Sequence, residues 1–206
     1  MNTQILPVSL QTNHVKEGPK DIYFPQVIHL KDKHVERKIN QAIVHLLHSL
    51  IDWQKEQQGT NEFTEIIGQY EIKTNERHIL SLNLINYAYA EGFAHGLTVI
   101  KSLTFDTTTG ETYELSDLFA PNRDYIKVLS HKVAEQIKAR DIPLLNTFTH
   151  IQPNQDFYLA DKALVLYFQL YEITPYYIGL PMFPVSIYDL EGIAKKDGLL
   201  TRLMAN

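Results

Sequence analysis

A run of aromatic and proline residues in the C-terminal third of the chain has the composition of a recognition surface. The stretch Tyr167 to Pro181 reads YFQLYEITPYYIGLP. The residue before a proline is restricted to extended backbone, so Pro175 followed by Tyr176 and Tyr177 predicts a fixed turn that presents tyrosines at low entropy cost. Such tyrosines serve as hot spots for protein binding or as platforms for sugar rings, and Glu172 could meet a partner's arginine or lysine. Equally, the tyrosines could cover the core with their hydroxyls in water.

The loop AEGFAHG, at residues 90–96, is the second candidate site. It places His95 beside Gly96 and close to Gly92, and glycines permit a sharp connection between strands. His95 could project at a binding surface. The favoured interpretation is that its imidazole bonds to nearby loop backbone, because histidines often satisfy such groups.

Residue patterns for catalysis, cofactors and metals are weak. His45 and His48 stand one turn apart on a predicted helix, but no acid of an HExxH type accompanies them. There is no cysteine, no GxSxG motif and no glycine-rich phosphate loop. Glu91 and Glu172 could be nominated as a glycosidase pair, as could any two acids in an acidic chain. We therefore predict no enzyme activity, no cofactor and no bound metal.

Composition sets the class of protein and of partner. The chain has 206 residues, 44% of them hydrophobic, and a net charge of −5. The acidic balance argues against nucleic-acid binding and suits a basic partner. The apolar run Ile5 to Leu10 is too short for a signal sequence, and no run approaches the roughly 18–20 apolar residues of a membrane span. We therefore expect no membrane span and, by default, a cytoplasmic location.

Hydrophobic periodicity predicts an α+β fold, an antiparallel β-sheet meander packed with two main α-helices. The predicted strands are 5–10, 22–27, 63–73, 78–89, 97–105, 112–115, 157–159, 164–170 and 183–187. The predicted helices are 32–57 and one that runs from 121 or 122 to 140, and a polar tail follows the last strand. We expect a single compact domain over 6–195, with an N-terminal half over 6–90 and a C-terminal half over 91–195.

Four stretches resemble a known bacterial family in order and spacing. They are DIYFPQV, VERKINQAIV, AEGFAHGLTVIKSLTFDTTTGETYELSDLF and YFQLYEITPYYIGLPMFPVSIYDL. The family, of unknown function, occurs in the extracytoplasmic part of the lysozyme-sensing anti-sigma factor RsiV and in front of the catalytic domain of a Bacillus peptidoglycan deacetylase. The resemblance covers roughly Leu6 to Leu190. Members often carry paired glycines before the alanine-histidine-glycine motif, where this chain has Phe93.

The resemblance implies a non-catalytic recognition module for a protein partner that is lysozyme-like. The chain as given has neither the membrane helix of the anti-sigma factor nor a deacetylase domain, so we expect neither transmembrane signalling nor hydrolysis. The predicted binding surface joins the two loops and consists of Phe93, His95, Gly96, Glu172, Pro175, Tyr176 and Tyr177. One alternative is a module for cell-wall glycan, with Tyr176, Tyr177 and Phe183 as stacking platforms. Another is an intracellular bacterial protein that keeps only the fold.

Overall fold

A computed structural model describes residues 8–205, which divide into two compact units between Thr112 and Tyr113. Residues 5–7 of the first predicted strand lie outside the described range. The prediction of one domain over 6–195, halved between residues 90 and 91, stays a prediction. Each unit is described by itself below.

The N-terminal unit is a five-stranded sheet with one long helix. Its elements are β1 (Ser9–Glu17), β2 (Lys20–Ile28), α1 (Lys33–Gln58), β3 (Glu65–Glu76), β4 (Ile79–Tyr89) and β5 (Leu97–Asp106), and the strand order is β1-β2-β3-β4-β5. β2 and β3 pair in parallel through Lys20–Ile22 and Ile66–Gly68, while the other pairs are antiparallel. The sheet is therefore mixed rather than a pure antiparallel meander. The reason is that α1 connects β2 to β3, and a crossover helix returns the chain in the same direction.

Local signals at both ends define α1. The Asp32 carboxylate accepts from the backbone N–H of His34 and of Val35, and these bonds hold the pKa of Asp32 below its ordinary value. At the other end Gly59 adopts the left-handed conformation, with φ of 61°. Between these caps a stripe of apolar residues packs on the sheet in one core cluster; it includes Val35, Ile39, Ile43, Leu47 and Leu50 from α1 with Leu80, Leu82 and Leu84 from β4. The predicted helix over 32–57 is thus confirmed.

Several predicted strands and turns differ from the structure, and the largest differences concern β1, residues 112–115 and the β3–β4 turn. β1 runs from Ser9 to Glu17 instead of over 5–10, and residues 112–115 form only one bridge, between Phe105 and Thr112. The β3–β4 turn consists of Arg77 and His78, with φ of 51° and 60°, instead of residues 74–76. Two consecutive positive φ values match the twist of a two-residue hairpin. Neither Arg nor His signals that turn as Asn-Gly would, so the sequence pattern missed it.

The C-terminal unit combines short elements. They are a 3₁₀ turn (Leu115–Leu118), α2 (Tyr125–Ala139), β6 (Phe157–Ala160), β7 (Ala163–Tyr167), a 3₁₀ turn (Tyr176–Ile178), β8 (Met182–Ser186), a 3₁₀ turn (Ile187–Leu190) and α3 (Leu199–Met204). The strands form an antiparallel sheet in the order β6-β7-β8. Together the units confirm the predicted α+β class.

The end of the chain corrects the sequence prediction. A polar tail was expected after the last strand, but residues 199–204 form α3, with Leu199, Leu200 and Leu203 buried. The helix has only six residues, so its apolar spacing was too short to stand out as a period. Within residues 8–205, neither α1 nor any shorter helix combines the length and apolarity needed to cross a membrane.

Candidate recognition site

The predicted aromatic turn begins where β7 ends. The strand was expected to run through Leu170 but stops at Tyr167. The next residue, Phe168, is 2% exposed, and its ring packs edge-on against Phe183 at a centroid distance of 5.6 Å. Its backbone N–H donates to the carbonyl of Pro181 at 3.2 Å. This hydrogen bond fixes both ends of the segment from Phe168 to Pro181. The segment contains residues 171–179, which we call the tyrosine turn.

Glu172 holds the tyrosine turn in shape. Its Oε2 accepts from the backbone N–H of Gln169 at 2.7 Å, and its Oε1 lies 3.5 Å from Nε2 of Gln155. Gln155 is 5% exposed and also donates to the carbonyl of Tyr167 at 2.8 Å. The carboxylate is therefore engaged with its own turn, although the residue as a whole is exposed. This contact gives Glu172 a positioning role that the sequence did not reveal.

Three tyrosines of the turn face solvent. Tyr177 is 75% exposed, Tyr171 49% and Tyr176 40%. The rings of Tyr171 and Tyr176 stack at a centroid distance of 5.5 Å with an interplanar angle of 25°. Pro175 precedes the 3₁₀ turn and Gly179 ends it, with φ of 78°. Of the predicted residues, Glu172, Pro175, Tyr176 and Tyr177 thus come together here.

Tyr171 is a member of this cluster that sequence reasoning missed. Its φ is 65°, a left-handed conformation that is unfavourable for a bulky aromatic residue. In the sequence it directly follows the apolar strand predicted over 164–170, and nothing there signals a chain reversal. The reversal brings its ring against Tyr176, and only the tertiary structure shows the pair.

Phe183 does not belong to this surface. It was predicted as a stacking platform, but it is 0% exposed, on β8. The guanidinium of Arg140 lies 5.3 Å from its ring centroid. A ring buried in this way is core, so any glycan platform would have to be built from the exposed tyrosines.

The His95 loop (residues 90–96) lies in the N-terminal unit, between β4 and β5. Nδ1 of His95 donates to the carbonyl of Gly96 at 2.9 Å, so the imidazole bonds loop backbone while the residue stays exposed. Phe93 is 41% exposed. Gly96 is buried, and a Cβ there would stand 2.3 Å from Cζ of Tyr87. A larger residue at this position would require the Tyr87 ring to move, so the close approach of Gly96 to that ring helps to place the loop.

The two predicted loops belong to different units, and their union into one surface stays a prediction. Glu91, the other half of the nominated carboxylate pair, lies with the His95 loop. Among residues 8–205, no three His, Asp or Glu side chains are grouped to hold a metal ion. His45 and His48 are both exposed on α1.

Comparison with known proteins matches each unit separately. Residues 116–188, inside the C-terminal unit, match the family described as protein of unknown function DUF3298. Residues 15–98, inside the N-terminal unit, match the family described as deacetylase PdaC. The two matches cover separate segments of the chain, and each covers less than half of it.

Two Bacillus subtilis (strain 168) proteins are related to the chain. Anti-sigma-V factor RsiV is 27% identical over 180 residues, which cover 80% of this chain and 61% of RsiV. Peptidoglycan-N-acetylmuramic acid deacetylase PdaC is 25% identical over 151 residues, covering 69% of this chain and 32% of PdaC. The chain thus spans less than two thirds of either relative. The predicted resemblance to RsiV and PdaC is confirmed.

Solved structures show the same fold. A DUF3298-family crystal structure from Bacteroides fragilis NCTC 9343 has a TM-score of 0.71 at 14% identity, covering 98% of this chain and 99% of that one. One from Pseudomonas aeruginosa PAO1 has a TM-score of 0.64 at 15% identity, covering 94% and 96%.

Proposed function

We propose that this chain is a non-catalytic recognition module that binds a lysozyme-like protein through the tyrosine turn, with the His95 loop as a second contact. The observation that carries the proposal is that Tyr177 is 75% exposed on a short 3₁₀ turn, which Pro175 precedes and Gly179 ends. A rigid, exposed tyrosine contributes contact area at little entropic cost. The relation to RsiV and the resemblance described above support a protein as the partner.

Charge supports a cationic partner. The chain has a net charge of −5, and Glu91 beside the His95 loop is exposed. Opposite net charges speed encounter and are screened by salt. Binding is therefore expected to be faster and tighter at low salt. The non-catalytic role rests on Glu172, because the one carboxylate in the tyrosine turn is bound to the backbone N–H of Gln169.

The first test is a calorimetric titration of the chain with a c-type lysozyme at low and at physiological salt. The expected result is saturable one-to-one binding that Tyr177→Ala weakens by about 30-fold, the loss typical of a hot spot. Tyr188→Ala is the matched control, because Tyr188 is a 49% exposed tyrosine of the same unit outside the turn. Absence of heat at both salts, or equal loss in both variants, would contradict the proposal.

The His95 loop is tested in the same titration. Phe93→Ala is expected to weaken binding by about fivefold, as a peripheral contact does. Ile72→Ala is the control, since Ile72 is a 38% exposed apolar residue on β3 of the same unit. If Tyr177→Ala weakens binding and Phe93→Ala does not, the tyrosine turn acts without the loop.

The stacked pair Tyr171 and Tyr176 favours one alternative, a module for cell-wall glycan. Exposed stacked aromatic rings provide flat faces for sugars. A soluble chitin oligosaccharide would then shift the NMR signals of both tyrosines, and Tyr176→Ala would abolish the shift. A protein-binding turn would leave these signals unchanged at the same sugar concentration.

A further inference from the structure

A cleft on the N-terminal unit is lined by residues of α1 and by Gln26 of β2. Its volume is about 570 Å³. We call it the α1 cleft; its lining residues are Gln26, Glu36, Arg37, Asn40, Gln41, Val44, His45 and His48. It contains no residue of the His95 loop or of the tyrosine turn, so its chemistry is independent of the proposed function.

One wall of the α1 cleft is a row of cationic and amide side chains. Arg37, Gln41, His45 and His48 follow one another at steps of four, four and three residues, which places them along one face of α1. All four residues are exposed. Within residues 8–205, no hydrogen bond or ion pair engages the side chain of Arg37, His45 or His48. Their N–H groups are thus available to a ligand.

The carboxylates of Glu36 and Asp52, which lie near this row, already have partners within the protein. The Glu36 carboxylate accepts from Nζ of Lys33 at 2.9 Å and from the backbone N–H of Leu30 at 2.8 Å. Lys33 holds the pKa of Glu36 below its ordinary value. Asp52, which lies one turn beyond His48, pairs with Lys55 at 2.8 Å. Glu36 and Asp52 are thus paired with lysines, and Asp32 accepts from backbone N–H groups, so among the described residues no ion pair takes up the charge of Arg37.

Asn40, which lines the α1 cleft, is held by two hydrogen bonds to the backbone of β2. Asn40 Oδ1 accepts from the backbone N–H of Val27, and Asn40 Nδ2 donates to the Val27 carbonyl, each at 2.8 Å. Gln26 Oε1 accepts from Asn13 Nδ2 at 3.1 Å. Asn40 is therefore held by β2, and Gln26 by β1.

We propose that the α1 cleft binds an oxyanion, the phosphate or carboxylate group of a small molecule, with Arg37 as the main donor. The planar guanidinium suits two-pronged pairing with either group. The imidazoles of His45 and His48 add N–H donors. The volume of the cleft, about 570 Å³, exceeds that of an inorganic anion, so Gln41 and Val44 would contact the rest of the ligand.

The test is an NMR titration that follows the histidine ring signals of the whole chain. Inorganic phosphate and acetate are added separately at pH 6 and pH 8, at constant ionic strength. The expected result is a saturable shift of His45 and His48 with at least one anion. His34, on α1 outside the cleft, and His131, on α2, serve as internal controls and stay unchanged. Saturation by phosphate alone identifies a phosphate ligand, and saturation by acetate alone a carboxylate.

Variants distinguish this site from general charge effects. Arg37→Gln is expected to weaken binding of the anion by about tenfold. Lys127→Gln, which removes a cation from α2, leaves the affinity for the anion unchanged. Equal, unsaturable shifts of all histidines, or binding indifferent to Arg37→Gln, would overturn the proposal. Tyr177→Ala leaves the anion affinity unchanged, which keeps this result separate from that of the tyrosine turn.

Discussion

The two units of this chain build their cores in different ways. The N-terminal unit packs a five-stranded sheet on the 26-residue helix α1, and its core is mainly aliphatic, with Phe63 and Phe105 as its buried aromatic residues. The C-terminal unit has three strands of four or five residues, and the rings of Phe148, Phe168 and Phe183 pack edge to face beside them. Large rings bury much area per residue, so short elements suffice there. The segments that connect these strands carry exposed side chains, and the tyrosine turn lies in the segment between β7 and β8.

The largest expected effect tests this contrast in the cores. Phe183→Ala should lower the free energy of unfolding by about 4 kcal/mol, and Ile39→Ala by about 3 kcal/mol, since both side chains are 0% exposed. Urea unfolding followed by circular dichroism measures both. Ile72→Ala, at an exposed position, is the control and should change stability by less than about 0.5 kcal/mol. A smaller loss for Phe183 than for Ile39 would mean that the aromatic core carries less of the stability.

A buried glutamine in each unit gives the next comparison. Gln54, 0% exposed, donates from Nε2 to the carbonyls of Asn86 and Leu97 at 3.1 and 2.7 Å. Gln155 donates to the single carbonyl of Tyr167 at 2.8 Å. Gln54→Ala should cost about 2–3 kcal/mol and Gln155→Ala about 1–2 kcal/mol, because unpaired buried carbonyls are costly. Exposed Gln57→Ala is the control in the same unfolding assay.

Of the two glutamines, only Gln155 contacts a residue of the tyrosine turn, the carboxylate of Glu172. We expect Gln155→Ala to loosen the tyrosine turn and weaken lysozyme binding, while Gln54→Ala leaves binding intact in the folded protein. Equal losses of binding would contradict this division of roles between the two glutamines.

Gly96 provides a prediction for the His95 loop. Gly96→Ala should cost about 2 kcal/mol, because its Cβ would stand 2.3 Å from Cζ of Tyr87. The double variant with Tyr87→Ala should lose less than the sum of the single variants, since the clash disappears. Thermal unfolding of the four proteins completes the cycle. Strict additivity would show that the Tyr87 ring does not restrict this position.

Tyr171 offers a smaller effect in the C-terminal unit. Tyr171→Gly should be more stable than Tyr171→Ala by about 1 kcal/mol, because φ of 65° suits glycine and strains alanine. Ala134→Gly, inside α2, is the matched control and should change stability by about 1 kcal/mol in the opposite sense. Both Tyr171 variants should weaken partner binding. If the alanine variant is as stable as the glycine variant, the left-handed conformation is not retained in solution.

The smallest expected effects concern how the free energy of unfolding depends on pH. An ion pair of the N-terminal unit acts at acid pH, and one of the C-terminal unit acts at alkaline pH. Bonds from His14 and then Lys16 lower the pKa of Asp21 below 3.8, so this stabilisation is present above about pH 3.8 and is lost as pH falls through the folded pKa. The bond to Asp189 raises the pKa of Lys132 above 10.5, so its stabilisation is present below about pH 10.5 and is lost as pH rises through the folded pKa.

Melting temperatures measured against pH check both pairs. Asp21→Asn should flatten the acid side of the curve, and Lys132→Gln the alkaline side. Each variant is the control for the other. A change on the wrong side of the curve would contradict the assignment. Both pairs are solvent-exposed, so the changes should be small and should shrink with added salt.

Elements whose signals are local could be predicted from sequence. α1 was found because its apolar period, its Asp32 cap and its Gly59 stop all lie within one continuous stretch. The same logic predicted the tyrosine turn from Pro175, and the backbone contact of His95 with its neighbouring residue. Phe183 was assigned wrongly to the surface, since an aromatic residue of a short strand carries no local mark of which face is buried.

The sequence by itself therefore determined the α+β class, the main helices and the residue types that a recognition turn requires, because propensity, capping and periodicity act over a few neighbouring residues. The tertiary structure decided the parallel pairing of β2 with β3, the burial of Phe183, the engagement of Glu172 with Gln169 and the stacking of Tyr171 on Tyr176. These features depend on packing between segments far apart in the chain or on a single reversed φ angle, and neither leaves a periodic trace in the order of residues.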